Sequence, residues 1–316
     1  MLATALGCSA GVNTPSDAAS SGSGDSTATS GSGTSSASAT VGAGGSASAT
    51  AASATSSGSG GAGGAGAGGA ASASSGQGGG GGMIDLDAGP PVNAEVYAHS
   101  PDTLYRLDPI TKKMTTVGQF AGCSTVIDIA LDKNGAMFGT GFGELYKINK
   151  ATAACTLVSN GGYPNSLSFV PAGTVDPVNE ALVGYVGTSY VRIDTTTGAV
   201  TTIGSLGNAG YASSGDLVSL IGGSSYLTVN GNGCGDCLVE INPTTGALIT
   251  NIGPLGHGSV YGLAYWAGVA YGFDASGTLF EIDVLTAATI TIPIPNAPAG
   301  LVFYGAGSTT AAPLHM

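Results

Sequence analysis

The stretch LVEINPTTGALITNIG, residues 238–253, has two apolar halves separated by a polar turn. Its first half alternates apolar and polar residues, which is the period of a half-buried β-strand. The Asn-Pro-Thr-Thr-Gly segment offers an amide that accepts backbone hydrogen bonds, a residue of fixed φ and a glycine for the left-handed conformation. The stretch therefore predicts a β-hairpin.

Four other stretches repeat this pattern. They begin at Leu104, Leu145, Tyr190 and Leu279, so that the five copies are spaced by 41, 45, 48 and 41 residues. Periods of 40 to 50 residues indicate stacked supersecondary units. Each unit holds four short runs of period-2 alternation, and no segment has a convincing helical period. Four antiparallel strands per unit are typical of a β-propeller blade.

The two ends of the repeat region set the number of blades. Prolines in DAGPPVN, residues 87–93, exclude a central strand just before the first unit. A spare strand, GLVFYG at residues 300–305, follows the last unit. If that strand supplies the missing inner strand, the ring closes without an open edge. We therefore predict an all-β, five-bladed β-propeller over residues 93–316, closed by a C-terminal inner strand.

In the detail of its repeat, the region 93–316 resembles the YVTN/NHL-like propellers of bacterial secreted proteins. The likeness lies in the order of strands and Asp/Asn-Pro turns. It implies an exported, repeat-built domain and assigns no activity.

Residues 9–92 are almost wholly Ser, Gly, Ala and Thr, and they hold four acidic residues, no basic residue and no aromatic one. Such a segment cannot bury enough apolar surface to offset the entropy of ordering it. We predict a long disordered linker, whose 84 residues would have a reach of roughly 50 Å.

The first eight residues, MLATALGC, resemble a truncated bacterial lipoprotein signal with its lipobox. The resemblance implies that Cys8 is acylated and that the lipid anchors the chain in a membrane. Only seven residues precede Cys8 and none is basic, so the charged segment of a full secretory signal is missing. Ser9 resembles the signal for outer-membrane sorting. We expect a cell-envelope protein, lipid-anchored at the outer membrane or extracellular.

Charge excludes one class of partner. The net charge is −12 and only seven residues are basic, which does not suit a nucleic-acid binder. All seven lie between residues 106 and 192. We expect Lys112, Lys113, Lys133 and Lys150 to form a patch on one face. No cofactor motif is present, and we expect a monomer.

Propeller connectivity predicts where candidate binding residues lie. With strands named a to d from the axis outward, loops d–a and b–c share the top face, and loops a–b and c–d share the bottom face. Inner strands begin at the top. The candidate ligand-binding residues there are Asp128, Asn165, Ser166, Asp216, His257 and Tyr261. Carboxylate, amide and hydroxyl groups at a channel mouth can hydrogen-bond a sugar or hold a cation, but they also line ordinary water-filled channels.

Four cysteines follow Cys8, and an even number in an exported domain suggests disulfides. Cys234 and Cys237 lie in GCGDC, where a local disulfide is favoured over a metal site, because a single CxxC supplies too few ligands for zinc. Cys123 and Cys155 are then left to pair. Connectivity predicts Cys123 near the top and Cys155 near the bottom, so this pair would need the d–a loop to fold down the blade.

Two functions remain open at this point. The first is a non-catalytic, lipid-anchored surface protein whose propeller head binds a glycan or a protein partner. The second is a glycan-active hydrolase or lyase that uses Asp128 and Asp216, the two carboxylates at the mouth. The fold alone does not decide between them.

Overall fold

The computed structural model describes residues 94–314, which form twenty strands in five antiparallel sheets of four. Each sheet is one blade, and the predicted all-β, five-bladed propeller is confirmed. The expectations for Cys8, for the lipobox and for the linker of residues 9–92 lie outside the described residues. In the range 94–314, no helix has the length and apolarity needed to cross a membrane.

The strands follow the chain in blade order. Blade 1 begins with β1 (Val96–His99), β2 (Thr103–Leu107) and β3 (Met114–Gln119). Blade 2 holds β4 (Asp128–Leu131), β5 (Met137–Thr140), β6 (Glu144–Ile148) and β7 (Cys155–Asn160). Blade 3 holds β8 (Leu167–Val170), β9 (Ala181–Val186), β10 (Ser189–Ile193) and β11 (Val200–Ser205). Blade 4 holds β12 (Tyr211–Ser219), β13 (Ser225–Gly231), β14 (Cys234–Ile241) and β15 (Leu248–Pro254). Blade 5 holds β16 (Val260–Trp266), β17 (Val269–Asp274), β18 (Leu279–Ile282) and β19 (Thr289–Ile292). The last strand, β20 (Gly305–Ser308), completes blade 1 as its innermost strand.

The closing strand is present, but it lies later in the chain than the sequence predicted. β20 pairs with β1 in the register Val96↔Ser308 and His99↔Gly305, while residues 300–303 lie outside any strand. The inner position admits only small residues, because a Cβ added at Gly307 would lie 2.8 Å from the carbonyl oxygen of Ile129. Phe303 instead packs edge-on against Phe273, with ring centroids 5.1 Å apart, between blades 5 and 1.

The c–d turn explains why the chain repeats. Each turn opens with an Asp or Asn whose Oδ1 accepts the backbone N–H two residues later. The residue four positions on has positive φ, as at Ala153 (58°) and Gly246 (67°), and donates its N–H to the carbonyl of the opening residue. Such side-chain bonds favour a turn over a continued strand. The five opening residues are Asp108, Asn149, Asp194, Asn242 and Asp283.

The core lies between the blades. Five apolar clusters occur, one at each interface between neighbouring blades. Between blades 5 and 1, for example, Trp266 and Tyr271 pack with Val96 and Tyr105. Because each blade buries its faces only against its neighbours, the ring is stable as a unit and a single blade is not.

Inner strands also bond directly to one another around the axis. The Ser219 N–H donates to the hydroxyl of Ser168, and the Tyr265 N–H donates to the hydroxyl of Ser308. The small residues of these strands bring neighbouring backbones close together. Side chains at the strand starts therefore meet near the axis.

Candidate functional site

Five structurally equivalent positions lie at or near the top ends of the inner strands. They are occupied by Asp128, Ser166, Asp216, Gly262 and Gly305. The sequence had aligned Gly300 with this ring, and the shifted closing strand replaces it with Gly305. The first three side chains are fully buried, with 0% of their surface exposed. These three candidates thus lie beneath the surface of the mouth.

The two aspartates make the same pair of contacts in different blades. Oδ1 of Asp128 accepts the N–H of Ile129 at 2.8 Å, and Oδ2 accepts the N–H of Leu167, in the next blade, at 2.6 Å. Oδ1 and Oδ2 of Asp216 accept the N–H groups of Leu217 and Leu263, each at 2.6 Å. Each carboxyl group therefore joins its own inner strand to the inner strand of the following blade.

Asp128 and Asp216 also lie close enough to affect each other's pKa. Burial raises the pKa of Asp128 well above its ordinary value, and the charge of Asp216 raises it further. Burial likewise raises the pKa of Asp216, against the lowering effect of its hydrogen bonds. Two buried carboxylates in contact do not both ionise readily, so the pair retains a shared proton.

The buried Ser166 side chain also forms a hydrogen bond within the protein. Its hydroxyl accepts the N–H of Tyr185 at 2.9 Å. The polar groups that head the inner strands of blades 2, 3 and 4 are therefore bonded to the protein itself. The two aspartates cross-link neighbouring blades, whereas Ser166 bonds within blade 3.

Above this buried layer lies a rim of residues, each one position earlier in the chain. The rim consists of Ile127, Asn165, Gly215, Tyr261 and Tyr304. Asn165 is exposed, Tyr261 is half-buried and Tyr304 is 39% exposed. The rings of Tyr261 and Tyr304 pack edge-to-face with centroids 6.1 Å apart. Asn165 and Tyr261 were expected at the mouth, whereas Tyr304 was missed because the closing strand was aligned five residues too early.

His257, also expected at the top face, contacts side chains of its own blade. Its Nδ1 is 3.1 Å from Oδ2 of Asp274, and its ring stacks on Phe280 with centroids 3.7 Å apart. Asp274 also accepts the N–H groups of Ser276 and Thr278 through Oδ1. The sequence indicates only a turn at Asp274. No nearby motif indicated that its carboxylate would also contact His257.

Both predicted disulfides are formed. Cys123 and Cys155 have Cα atoms 5.5 Å apart, and those of Cys234 and Cys237 are 5.9 Å apart. The first pair meets because the d–a loop of blade 1 runs along the outer strand of blade 2. There the Ala121 N–H donates to Ala153, and the Cys155 N–H donates to Ala121. Two disulfides indicate an extracytoplasmic location.

Basic charge is confined to one end of the propeller. All seven Lys and Arg residues lie in the bottom loops of blades 1 to 3 or within two residues of them. Two of the four patch lysines are paired: Lys112 lies 3.1 Å from Glu281 and over the ring of Tyr271, and Lys150 bonds Glu95. The top face has acidic side chains, such as Asp102 and Glu144, and no basic one.

The bottom also holds a surface cavity of about 380 Å³ between blades 1 and 5. It is lined by Trp266, Arg106, Glu95 and Ile110, among others. Glu95 is already paired with Lys150 and lies 3.6 Å from Arg106. In the described part of the chain, no group of three or more His, Cys, Asp or Glu side chains is arranged to hold a metal ion.

A protein-family model, described as a repeat of unknown function (DUF6923), matches residues 176–311, which is less than half of the chain. The match covers blades 4 and 5 together with most of blade 3. A search of curated proteins for sequence relatives found no match.

Several solved structures are similar to this chain. Hydrazine synthase of Kuenenia stuttgartiensis is 11% identical, with 66% of this chain and 68% of that chain covered and a TM-score of 0.37. TolB from Acinetobacter baumannii is 16% identical over 68% of this chain, at a TM-score of 0.40, and the match spans 53% of TolB. A protein of unknown function from Bacteroides caccae is 12% identical, with 68% and 98% covered and a TM-score of 0.39. At these values the likeness concerns the fold alone.

Proposed function

We propose that the propeller is the non-catalytic binding head of an envelope protein, and that its ligand contacts the rim residues Asn165, Tyr261 and Tyr304. The observation that supports this is a pair of packed tyrosines, of which Tyr304 is exposed, and an exposed amide above a layer of hydrogen-bonded polar groups. Aromatic faces give contact area at low entropic cost, and an amide both donates and accepts. These are the groups that a binding surface needs.

The buried layer argues for binding over hydrolysis. A glycosidase needs two carboxyl groups that reach the scissile bond, one of them as an acid of raised pKa. Asp128 and Asp216 have raised pKa values, yet both are 0% exposed and each oxygen accepts a backbone N–H. A substrate would have to break these bonds to reach the carboxyl groups.

The distribution of charged side chains on the top face favours an uncharged glycan as the ligand. With no Lys or Arg on the top face, an anionic polysaccharide would find no partner there and would be repelled by Asp102 and Glu144. A neutral sugar can stack on Tyr304 and hydrogen-bond Asn165. A protein partner is the other ligand class for the same rim.

The test is a screen of the full chain against neutral and uronic-acid oligosaccharides, with Tyr304→Ala and a matched control, Leu285→Ala. Leu285 is 83% exposed in a bottom loop. We expect neutral glycans to be bound, with affinity lowered about tenfold or more by Tyr304→Ala and unchanged by Leu285→Ala. Binding of anionic glycans only, or equal loss in both variants, would contradict the proposal.

We further propose that Cys8 is acylated and anchors the head at the outer membrane. The lipobox-like ALGC and the two disulfides support this. Fractionation of cells should place the protein with membranes, and Cys8→Ala should move it to the soluble fraction. An unchanged distribution in the variant would rule out the lipid anchor.

A further inference from the structure

A second titratable side chain lies beside the carboxyl pair. The ring of His99, in β1, is fully buried, and its Nδ1 is 2.8 Å from the carbonyl oxygen of Ser100. A carbonyl only accepts, so Nδ1 carries the hydrogen of this bond. Burial lowers the pKa of His99 to about 4, so the ring is neutral at physiological pH. Nε2 therefore presents a lone pair.

That lone pair faces another acceptor. Nε2 of His99 is buried and has no hydrogen-bond partner among residues 94–314. A Cβ added at Gly305 would lie 2.4 Å from this atom and 2.6 Å from Oδ1 of Asp128, so the two atoms are within about 5 Å of each other. Oδ1 is bonded to the N–H of Ile129 and retains capacity for a second donor.

When the proton of the carboxyl pair is held between the two aspartates, His99 Nε2 and Asp128 Oδ1 are both acceptors, and two acceptors that face each other in the core require a donor. We propose that one water molecule is bound between these two atoms, next to Gly305, and donates one hydrogen to His99 Nε2 and the other to Asp128 Oδ1. Two hydrogen bonds of about 2.8 Å span a separation of this size. Buried waters characteristically occupy such positions, where protein groups are otherwise unsatisfied.

This site would extend the network around the axis. Asp128 and Asp216 already join blades 2, 3, 4 and 5 through backbone N–H groups. His99 belongs to blade 1, next to the closing strand β20. The bound water thus connects the blade that closes the ring to the carboxyl pair, which no direct side-chain contact does.

The experiment is a high-resolution crystal structure of the full chain, together with nitrogen-15 NMR of its three histidines. We expect a water peak within hydrogen-bond distance of both atoms, and His99 as the neutral Nδ1-protonated tautomer from pH 6 to 8. Three results would overturn the proposal: no density, a metal shown by anomalous scattering, or a doubly protonated His99, whose Nε2–H would itself be the donor.

Two glycine variants provide a matched comparison on one strand. Gly305→Ala places a methyl group in the water site, whereas a methyl at Gly307 meets Ile129 and Leu131. We expect the Gly305→Ala variant to lose the water peak and shift the Nε2 signal, and Gly307→Ala to keep both. Retention of the peak in Gly305→Ala would overturn the assignment. If Gly305→Ala does not fold, the crystal structure and the histidine NMR of the unsubstituted chain still test the proposal.

Discussion

Burial changes the role that the carboxyl groups of Asp128 and Asp216 can have. At an open mouth they would be candidates for catalysis or for binding a cation. In the structure both groups are buried, and their oxygens accept backbone N–H groups of neighbouring inner strands. Their raised pKa values imply that the pair retains a proton. Burial raises the pKa of both groups, and the charge of Asp216 raises that of Asp128 further. This burial is a consequence of closing the ring.

The shared proton predicts that stability falls as pH rises. The unfolded chain releases it near pH 4, whereas the folded pair holds it to a higher pH. Its stabilising contribution is therefore complete below about pH 4 and is lost as pH rises through the folded pKa, by at most about 1.4 kcal/mol per pH unit. Urea unfolding between pH 5 and 9 should show this decline.

The double variant Asp128→Asn/Asp216→Asn should flatten the pH dependence. It should also lower stability at pH 5 by about 1–3 kcal/mol for each backbone N–H that an amide nitrogen leaves unpaired. Asp283→Asn, at an exposed turn, is the matched control and should keep the slope of the unsubstituted protein. A slope that survives in the double variant would show that other groups cause it.

Sequence reasoning found the two aspartates because they open inner strands, but it could not find their contact. That contact depends on how closely five Gly/Ala/Ser-rich strands approach one another, which is a property of the closed ring. Asp274 was not predicted as a site residue for a similar reason. Its turn is evident from sequence, while its bond to His257 joins loops brought together by blade packing.

At the level of single elements, the two disulfides should differ in their effect on stability. The Cys123–Cys155 disulfide links the loop after blade 1 to the outer strand of blade 2. Its two cysteines are separated by 32 residues in the sequence, whereas Cys234 and Cys237 are separated by 3. Loop-closure entropy then predicts a loss of about 3–4 kcal/mol for Cys123→Ser/Cys155→Ser and about 2 kcal/mol or less for Cys234→Ser/Cys237→Ser. Urea midpoints under non-reducing conditions measure both, and the reverse order would contradict this account.

The position of the closing strand makes a second prediction for a single element. Ala306 lies in the middle of β20, paired with Ala98, whereas Val302 lies outside any strand. Proline in a central strand removes a ladder hydrogen bond, so Ala306→Pro should lower stability by about 3 kcal/mol or more, and Val302→Pro by much less. Thermal unfolding of the two variants measures both losses of stability. A larger effect at Val302 would restore the register that the sequence suggested.

The elements themselves were largely predictable. Strand alternation and the Asp/Asn turns gave four strands per blade and five blades, because both signals are local. The closing strand was misplaced since LVF has the apolar pattern of a strand, while Gly-Ala-Gly-Ser does not. Only the crowding at the axis, seen at Gly305 and Gly307, explains why the small residues take the inner position.

For the whole molecule, the polarity of the propeller is the feature that bears on function. The first described residue, Ala94, lies at the bottom of blade 1. The basic residues lie toward this same end. The rim of Asn165, Tyr261 and Tyr304 lies at the opposite end, which is the arrangement that the proposed binding role requires.

The measurement that tests the central claim most directly is glycan affinity in three proteins: the unsubstituted chain, Tyr304→Ala and Asp128→Asn. If recognition occurs at the rim, Tyr304→Ala loses about tenfold or more in affinity, while Asp128→Asn, folded by circular dichroism, binds like the unsubstituted chain. The opposite result, with binding lost in Asp128→Asn and retained in Tyr304→Ala, would place recognition at the carboxyl pair and contradict the account.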